Sequence, residues 1–198
     1  MDILIWILLG TTSLITLTFI LERAWSLRWG RVIPADIETA VDQCQTPDDV
    51  DGLRRVCDRR SSPIGRLLLV AADHLQWPKE DADDAVQNHA RHEIVRLERG
   101  LIVLEVAVGI APLLGLVGTI YGMIMLFTNL GQSTQLDNTA LARGIGYILY
   151  STLAGLLIAI PALVAWSYFA KKVERLAVEM ETLCGEFLRR QYRGRSGN

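Results

Sequence analysis

The sequence predicts an all-α polytopic membrane protein with three transmembrane helices, two of them extended into the cytoplasm, and a small helical cytoplasmic region. Hydrophobic residues make up 51% of the chain and charged residues only 21%. Three long runs contain no charged residue at all: Ile3 to Leu21, Val106 to Leu136 and Gly144 to Ala170. Each run reaches the roughly 20 residues that a helix needs to cross the hydrocarbon core of a bilayer.

The boundaries of the elements follow from these runs. We predict a first transmembrane helix over residues 1–21, a cytoplasmic helical region over 22–100, a second transmembrane helix over 101–130, a short periplasmic loop over 131–143, a third transmembrane helix over 144–170 and a cytoplasmic helical tail over 171–198. The first run is predicted to be a retained anchor, because it lacks the basic start and small-residue cleavage site of a secretory signal. Trp25 and Trp29 follow it, where an aromatic belt would meet water.

Orientation follows from the lysines and arginines near the span ends. Arg23, Arg28 and Arg31 follow the first span, and Lys171 and Lys172 follow the third. The link between spans two and three carries far less positive charge. The N-terminus is therefore predicted to be periplasmic, and the large loop and the C-terminus cytoplasmic.

The cytoplasmic region has the punctuation of short helices. Helix starts are predicted at Thr46-Pro47-Asp48, at Ser62-Pro63 and at Trp77-Pro78, because each places a proline at or just before a first turn. We expect the third of these helices to continue as one helix into the second span, with bends at Gly100 and Pro112. The third span should likewise continue as a helix into the tail.

Charged and polar clusters outside the spans give weak functional signals. His89, His92 and Glu93 lie within one turn, so they form either a metal site or, as we favour without a further ligand, a charged helix surface. The basic tail is expected to be a frayed, solvated end, with contact to anionic lipid as the alternative. It contains Arg189, Arg190, Arg193 and Arg195.

The composition argues against several functional classes. The chain carries no nucleophile motif, phosphate loop or dinucleotide fingerprint, so we predict no enzyme activity, no cofactor and no metal. A net charge of −2 gives no indication of nucleic-acid binding. The three cysteines show no paired spacing and are expected to be reduced.

Small residues collect on one side of spans two and three when they are placed at 100° per residue. In span two the set is Ala111, Gly115, Thr119, Gly122 and, more loosely, Gly118; in span three it is Gly144, Ser151, Thr152, Gly155, Ala159 and Ala162. These faces indicate close helix packing, or a lined pathway, or both if several copies surround a common axis.

Neither span contains an ionisable residue in its middle, although ion movement through hydrocarbon usually leaves one on the route. Glu105 is the nearest acid and is expected close to the cytoplasmic boundary. If the protein handles protons, the group that is protonated inside the membrane must come from a partner subunit.

Two motifs resemble the MotA/TolQ/ExbB proton-channel family, most closely its ExbB and TolQ branch. They are APLLGLVGTIYGMI at 111–124 and, after LARGIG at 141–146, STLAGLLIAIPA at 151–162. The resemblance implies a homo-oligomeric ring, of five copies, around an ExbD/TolR-like single-span partner that carries the membrane aspartate. It further implies a bacterial inner-membrane location and a TonB-like protein that the complex energises with the proton-motive force.

The resemblance and the helical spacing together assign roles to residues. Thr119 and Thr152 match the family's pore-facing threonines, whereas Tyr147 stands where the ExbB branch usually carries glutamate. The predicted pore-lining set is Thr119, Thr152, Ser151 and Tyr147, the helix-packing set is Gly115, Gly118, Gly122 and Gly155, and the helix-bend set is Pro112 and Pro161. The alternatives are a TolQ-like or other motor stator subunit of the family, and a non-conducting membrane scaffold.

Overall fold

The computed structural model describes residues 2–45, 49–132 and 138–196, and in this part of the chain it contains eight α helices and no strand. The helices are α1 (Asp2–Ser26), α2 (Trp29–Val32), α3 (Ala35–Gln43), α4 (Val50–Arg59), α5 (Pro63–Asp73), α6 (Lys79–Glu98), α7 (Leu101–Gln132) and α8 (Asn138–Ser196).

Three of these helices are long and apolar enough to cross a membrane. The candidate spans are Ile3–Ser26 in α1, Leu101–Thr128 in α7 and a stretch within Leu141–Gly194 in α8. Their outward surfaces are covered with exposed aliphatic side chains, for which water is a poor solvent and a bilayer a good one. The predicted class, an all-α polytopic membrane protein, is confirmed.

The chain divides into two compact units. The transmembrane unit comprises Met1–Arg23 and Gly100–Tyr168, and the helical unit comprises Ala24–Arg99 and Phe169–Asn198. Both α1 and α8 continue from their apolar stretch into the helical unit. For α8 this is the helical extension that the mixed sequence after residue 171 predicts.

The expected single helix through the second span is in fact two helices, which is a correction. α6 ends at Glu98 and α7 begins at Leu101, so the interruption falls at Arg99–Gly100. Gly100 is buried beneath the guanidinium of Arg23, and a Cβ at this position would collide with Nε and Cζ of that side chain. The glycine that the sequence marks as a bend thus leaves room for an arginine from the end of α1.

The helical unit has a packed aliphatic core. Ser62 begins α5 as predicted, since its Oγ accepts the N–H of Gly65 at 3.1 Å and Pro63 occupies the first turn. The predicted start at Thr46-Pro47-Asp48 lies outside the described residues. Buried side chains of this core include Ile37, Val41, Leu53, Ile64, Leu67, Leu68, Ala71, Leu176, Met180, Phe187 and Leu188.

The basic tail is not the frayed end that its composition suggested. α8 runs to Ser196, because Phe187, Leu188 and Gln191 are buried on one face of its last turns. On the adjacent face, the Arg190 guanidinium donates to the Asp42 carboxylate at 3.2 Å. Burial of an apolar stripe thus keeps this segment helical, whereas Arg189 and Arg193 are exposed, as expected for a solvated basic surface.

Glu93 is likewise not part of a charged surface. Its side chain is only 6% exposed and its carboxylate accepts two hydrogen bonds from Arg66, at 2.5 and 3.0 Å, and one from Arg96 at 2.9 Å. Burial opposes ionisation, but the hydrogen bonds and charge of Arg66, followed by those of Arg96, outweigh it and hold the Glu93 pKa below its ordinary value of 4.5.

His89 and His92 are exposed on the same helix. Among the described residues no group of three or more His, Cys, Asp or Glu could hold a metal.

Glu93→Gln should destabilise the helical unit, by about 1–3 kcal/mol, because it leaves the Arg66 guanidinium without its charged acceptor. Thermal unfolding of the full chain in detergent measures this, with Glu98→Gln, an exposed acid on the same helix, as the matched control. Because the Glu93 pKa is lowered, its stabilisation is present above pH 4.5 and is lost as the pH falls through the lowered value. The wild type and Glu93→Gln should therefore converge in acid, and a gap that is constant with pH would contradict the ion-pair explanation.

The cysteines of the helical unit are free and buried. Burial raises the pKa of the Cys57 thiol to about 11, and the neighbouring carboxylate of Asp58 adds to the shift. A thiol with such a pKa is almost entirely protonated at neutral pH and is a poor nucleophile. The free thiols agree with the expectation that the cysteines are reduced.

Candidate functional site

The second and third spans pack against each other as an antiparallel pair through their small residues. A Cβ on Gly115 would lie 3.2 Å from Cα of Thr152, whereas a Cβ on Gly122 would lie 2.7 Å from the side chain of Ile148. Residues later in the sequence of α7 thus contact residues earlier in the sequence of α8, which means that the two helices are antiparallel. The buried residues along this contact are Ala111, Gly115 and Gly118 of α7 and Ile148, Ser151, Gly155, Ala159 and Ala162 of α8.

The two helices approach each other at backbone distance where Gly155 faces α7. A Cβ on Gly155 would lie 2.6 Å from the carbonyl oxygen of Ala111 and 3.1 Å from Cα of Gly115. Both of these neighbours are backbone atoms, which cannot rotate out of the way. Small residues here let two membrane helices come together at backbone distance, which is how such helices gain packing energy in lipid.

Ser151 lies inside this helix contact. It is 2% exposed, and its hydroxyl donates to the carbonyl oxygen of Gly115 at 3.1 Å. The same hydroxyl occupies the space that a Cβ on Gly118 would need. In the single chain, Ser151 therefore bridges α7 and α8, and its predicted place in a pore lining stays a prediction.

Thr119 and Thr152 lie on the same side of the helix pair. On each helix, the threonine lies about 60–70° beyond the centre of the buried row in the direction of increasing residue number. Viewed from one end, residue number increases clockwise around one helix of an antiparallel pair and counterclockwise around the other. The sides by which the two helices face each other also point in opposite directions, so the two reversals cancel. The two offsets therefore point the same way, and both threonines are half-buried at that edge. We call this edge the threonine face.

The first span packs on the other side of the pair. The indole N–H of Trp6 donates to the Tyr147 hydroxyl at 2.9 Å, and the two rings meet edge to face with centroids 6.2 Å apart. An apolar groove of about 260 Å³ separates α1 from α7; its walls are Leu4, Ile5, Leu8, Leu114, Val117, Ile120, Tyr121 and Ile124. Tyr147 lies about 140° around α8 from Thr152, so the threonine face is opposite α1.

This contact gives Tyr147 a neighbour that the sequence does not reveal. Its predicted pore-lining role stays a prediction, and the interaction that the structure shows is with the first span. The sequence does not single out Trp6, because an aromatic residue in an apolar run is usually only part of a lipid-facing surface. The polar end of the indole is what distinguishes it, since a buried or membrane-embedded N–H needs a partner.

The hydroxyl of Thr119 is oriented by its own helix. Its Oγ1 donates to the carbonyl oxygen of Leu116 at 2.6 Å, as hydroxyls in membrane helices commonly do. The proton of the hydroxyl is thereby committed, and the lone pairs of Oγ1 stay available. At the threonine face, Thr119 can accept a hydrogen bond from a protonated acid or from water.

The spans provide no acid of their own at this depth. Residues 106–136 and 144–170 contain no Asp, Glu, His, Lys or Arg, and Glu105 is exposed near the start of α7. Pro112 and Pro161 lie inside α7 and α8, where each removes one backbone N–H from the helix ladder. The predicted bends at these two prolines stay predictions.

These features define a class: a multi-pass helical membrane protein whose second and third spans form a glycine-packed pair with a polar, uncharged face. The chain matches the MotA/TolQ/ExbB proton channel family over residues 59–182, well over half its length. It belongs to that family, in the ExbB-like branch. The resemblance seen in the sequence is thereby confirmed.

Individual relatives support the same branch. The chain is 33% identical to a putative biopolymer transport protein, ExbB-like 1, of Synechocystis over 78% of this chain and 62% of that protein. It is 33% identical to the biopolymer transport protein exbB1 of Vibrio cholerae over 59% of this chain and 51% of the relative. For ExbB of Neisseria gonorrhoeae the identity is 32%, over 50% of this chain and 44% of the relative. The chain thus spans between about two fifths and three fifths of the length of these relatives.

Proposed function

We propose that this chain is the channel-forming subunit of a motor complex driven by the proton-motive force, of the ExbB type. Several copies, five by the family resemblance, surround an ExbD/TolR-like single-span partner in a bacterial inner membrane. The partner carries the acid that is protonated inside the membrane, and the complex energises a TonB-like protein for transport across the cell envelope. The N-terminus is periplasmic and the C-terminus cytoplasmic.

The observation that carries this proposal is the threonine face. Thr119 and Thr152 bring two hydroxyls to one edge of a closely packed helix pair, on the side that α1 leaves open. Repetition of this edge around an axis would produce a polar but uncharged lining. Such a lining suits passage of a carboxyl-bearing segment, because its oxygens can hydrogen-bond the acid while no fixed charge repels or traps it.

The energy available is sufficient for mechanical work. One elementary charge that crosses 100 mV releases about 2.3 kcal/mol, and several charges per cycle would move a periplasmic segment. The chain's own role is structural and conductive, without covalent chemistry, so we propose no enzyme activity and no cofactor.

The proposal is tested by proton flux. The tagged full chain is extracted in mild detergent with the proteins bound to it, and the mass and composition of the complex are measured. Liposomes then receive either the chain alone or the chain with its co-purified single-span protein, and a trapped pH dye follows flux under an imposed potential.

Flux should require both proteins and should be lost when the partner's membrane carboxylate is changed to an amide. Proton flux through the chain alone would contradict the proposal that the partner supplies the acid. An assembled complex that shows no proton flux at any imposed potential would instead identify the non-conducting scaffold. In that alternative the glycine faces serve packing only. Co-purification of the chain with a rotating assembly would favour a motor stator subunit of the family.

A further inference from the structure

The segment that follows the first span has two sharply different sides. Leu27, Val32 and Ile33 are at most 1% exposed and anchor the segment to the helical unit. Trp25 and Trp29 are instead 60% and 46% exposed, and Arg28 and Arg31, next to Trp29 or two residues from it in the sequence, are also exposed. The chain thus presents two indole rings and two guanidinium groups outward from a firmly held backbone. We call these four residues the Trp–Arg patch.

The patch lies at the end of a membrane span. The apolar stretch of α1 ends at Ser26, and Arg28 comes only two residues later, at most about 7 Å along the chain. This distance is shorter than the Debye length of about 8–10 Å at physiological ionic strength, so the charge of Arg28 is felt at the headgroup level. Tryptophan is enriched in membrane proteins at the headgroup level, where membrane and water meet.

Arg31 is held in place by an aromatic ring. Its Cζ lies over the Trp25 ring, 3.8 Å from the centroid, which is the distance of a cation–π contact. A cation–π contact is made through the charge of the guanidinium, and N–H groups of Arg31 stay available as donors. A cation held in this way loses less rotamer freedom when it binds an anion.

We propose that the Trp–Arg patch binds the headgroup of an anionic phospholipid in the leaflet at this end of α1. Arg28 and Arg31 donate hydrogen bonds to the lipid phosphate, and the two indoles lie among the headgroups and upper acyl chains. This interaction goes beyond the proposed function and is independent of it, because it requires only that α1 spans the membrane.

The chemistry of the patch favours a lipid over other anions. A free phosphate would use the two arginines but would leave both tryptophans exposed to water, where a large apolar surface is unfavourable. A lipid satisfies both halves of the patch together, because it offers an anion and an apolar body at the boundary where the span ends.

The test measures lipid retention by the full chain. Detergent-extracted protein is mixed with phosphatidylglycerol or phosphatidylcholine of the same acyl composition, and bound lipid is counted by native mass spectrometry. The wild type should retain phosphatidylglycerol preferentially. Arg28→Gln with Arg31→Gln should lower this retention by roughly tenfold or more, whereas retention of phosphatidylcholine should not change.

Matched variants make the test specific. Arg59→Gln removes an exposed arginine elsewhere in the helical unit and should behave as wild type. Arg28→Lys with Arg31→Lys keeps the charge and should restore much of the preference. Equal retention of both lipids by the wild type, or an unchanged preference in the double glutamine variant, would overturn the proposal.

Two further measurements separate the other possible occupants. Inorganic phosphate and glycerol phosphate, added in excess, should not displace the lipid; complete displacement would identify a simple phosphate site and overturn the proposal. The mass of the complex should be the same for wild type and variant. If the double variant lost subunits together with lipid, the patch would be an interface between copies of this chain and not a lipid site.

Discussion

Gly155→Ala is expected to disrupt the packing of α7 against α8 and to lower the stability of the transmembrane unit by about 1–3 kcal/mol or more. The added methyl group would lie 2.6 Å from the carbonyl oxygen of Ala111 and 3.1 Å from Cα of Gly115. Since both neighbours belong to the backbone, the strain can be relieved only when the two helices move apart. That movement would also weaken the hydrogen bond from Ser151 to Gly115.

Gly146→Ala is the matched control on the same helix. A Cβ on Gly146 meets no atom within 4 Å, and alanine favours a helix over glycine by up to about 1 kcal/mol. Thermal unfolding in detergent should therefore show a lower midpoint for Gly155→Ala and an unchanged or higher midpoint for Gly146→Ala. Equal midpoints for Gly155→Ala and the wild type would mean that the helices do not approach as closely as described.

Sequence patterns alone predict much of the fold, because its strongest constraint is compositional. Charge-free runs of roughly 20 residues or more are typical of transmembrane helices, and the structure has three membrane-length helices at those runs. The ends of the helical unit were harder to predict. Glu93 and the basic tail have the composition of solvated surfaces, but Glu93 is buried between two arginines and α8 stays ordered to Ser196. Tertiary packing decides both cases, and tertiary contacts cannot be deduced from the local spacing of residues in the sequence.

The small-residue faces of the spans are also visible in the sequence, whereas their relation to one another is not. Helical spacing gathers Gly115, Gly118 and Gly122 on one side of span two, but it does not say which row of span three they meet. Once the antiparallel contact is known, Thr119 and Thr152 must share an edge. The position of α1 then fixes which edge stays open, and the contact between Trp6 and Tyr147 reveals that position.

Thr119→Val combined with Thr152→Val should leave the complex assembled and reduce partner-dependent proton flux to background, a fall of roughly tenfold or more. Valine has nearly the shape of threonine, so the half-buried positions stay filled and the glycine contacts between α7 and α8 are undisturbed. The change removes the two oxygens of the threonine face. A protonated acid that passes this level would then meet only hydrocarbon, in which an unpaired polar group costs several kcal/mol.

Thr12→Val combined with Thr18→Val is the control for general loss of hydroxyls from the membrane. Both hydroxyls bond back to their own helix, as that of Thr119 does, but they lie in the first span and not on the threonine face. The complex mass in mild detergent and the flux in liposomes are measured for each double variant. Normal flux in the α7–α8 variant would refute the threonine face as a pore lining, whereas equal loss in both variants would mean that any hydroxyl in the membrane matters. Only selective loss supports a lining in which this chain supplies hydrogen-bond acceptors and its partner supplies the acid.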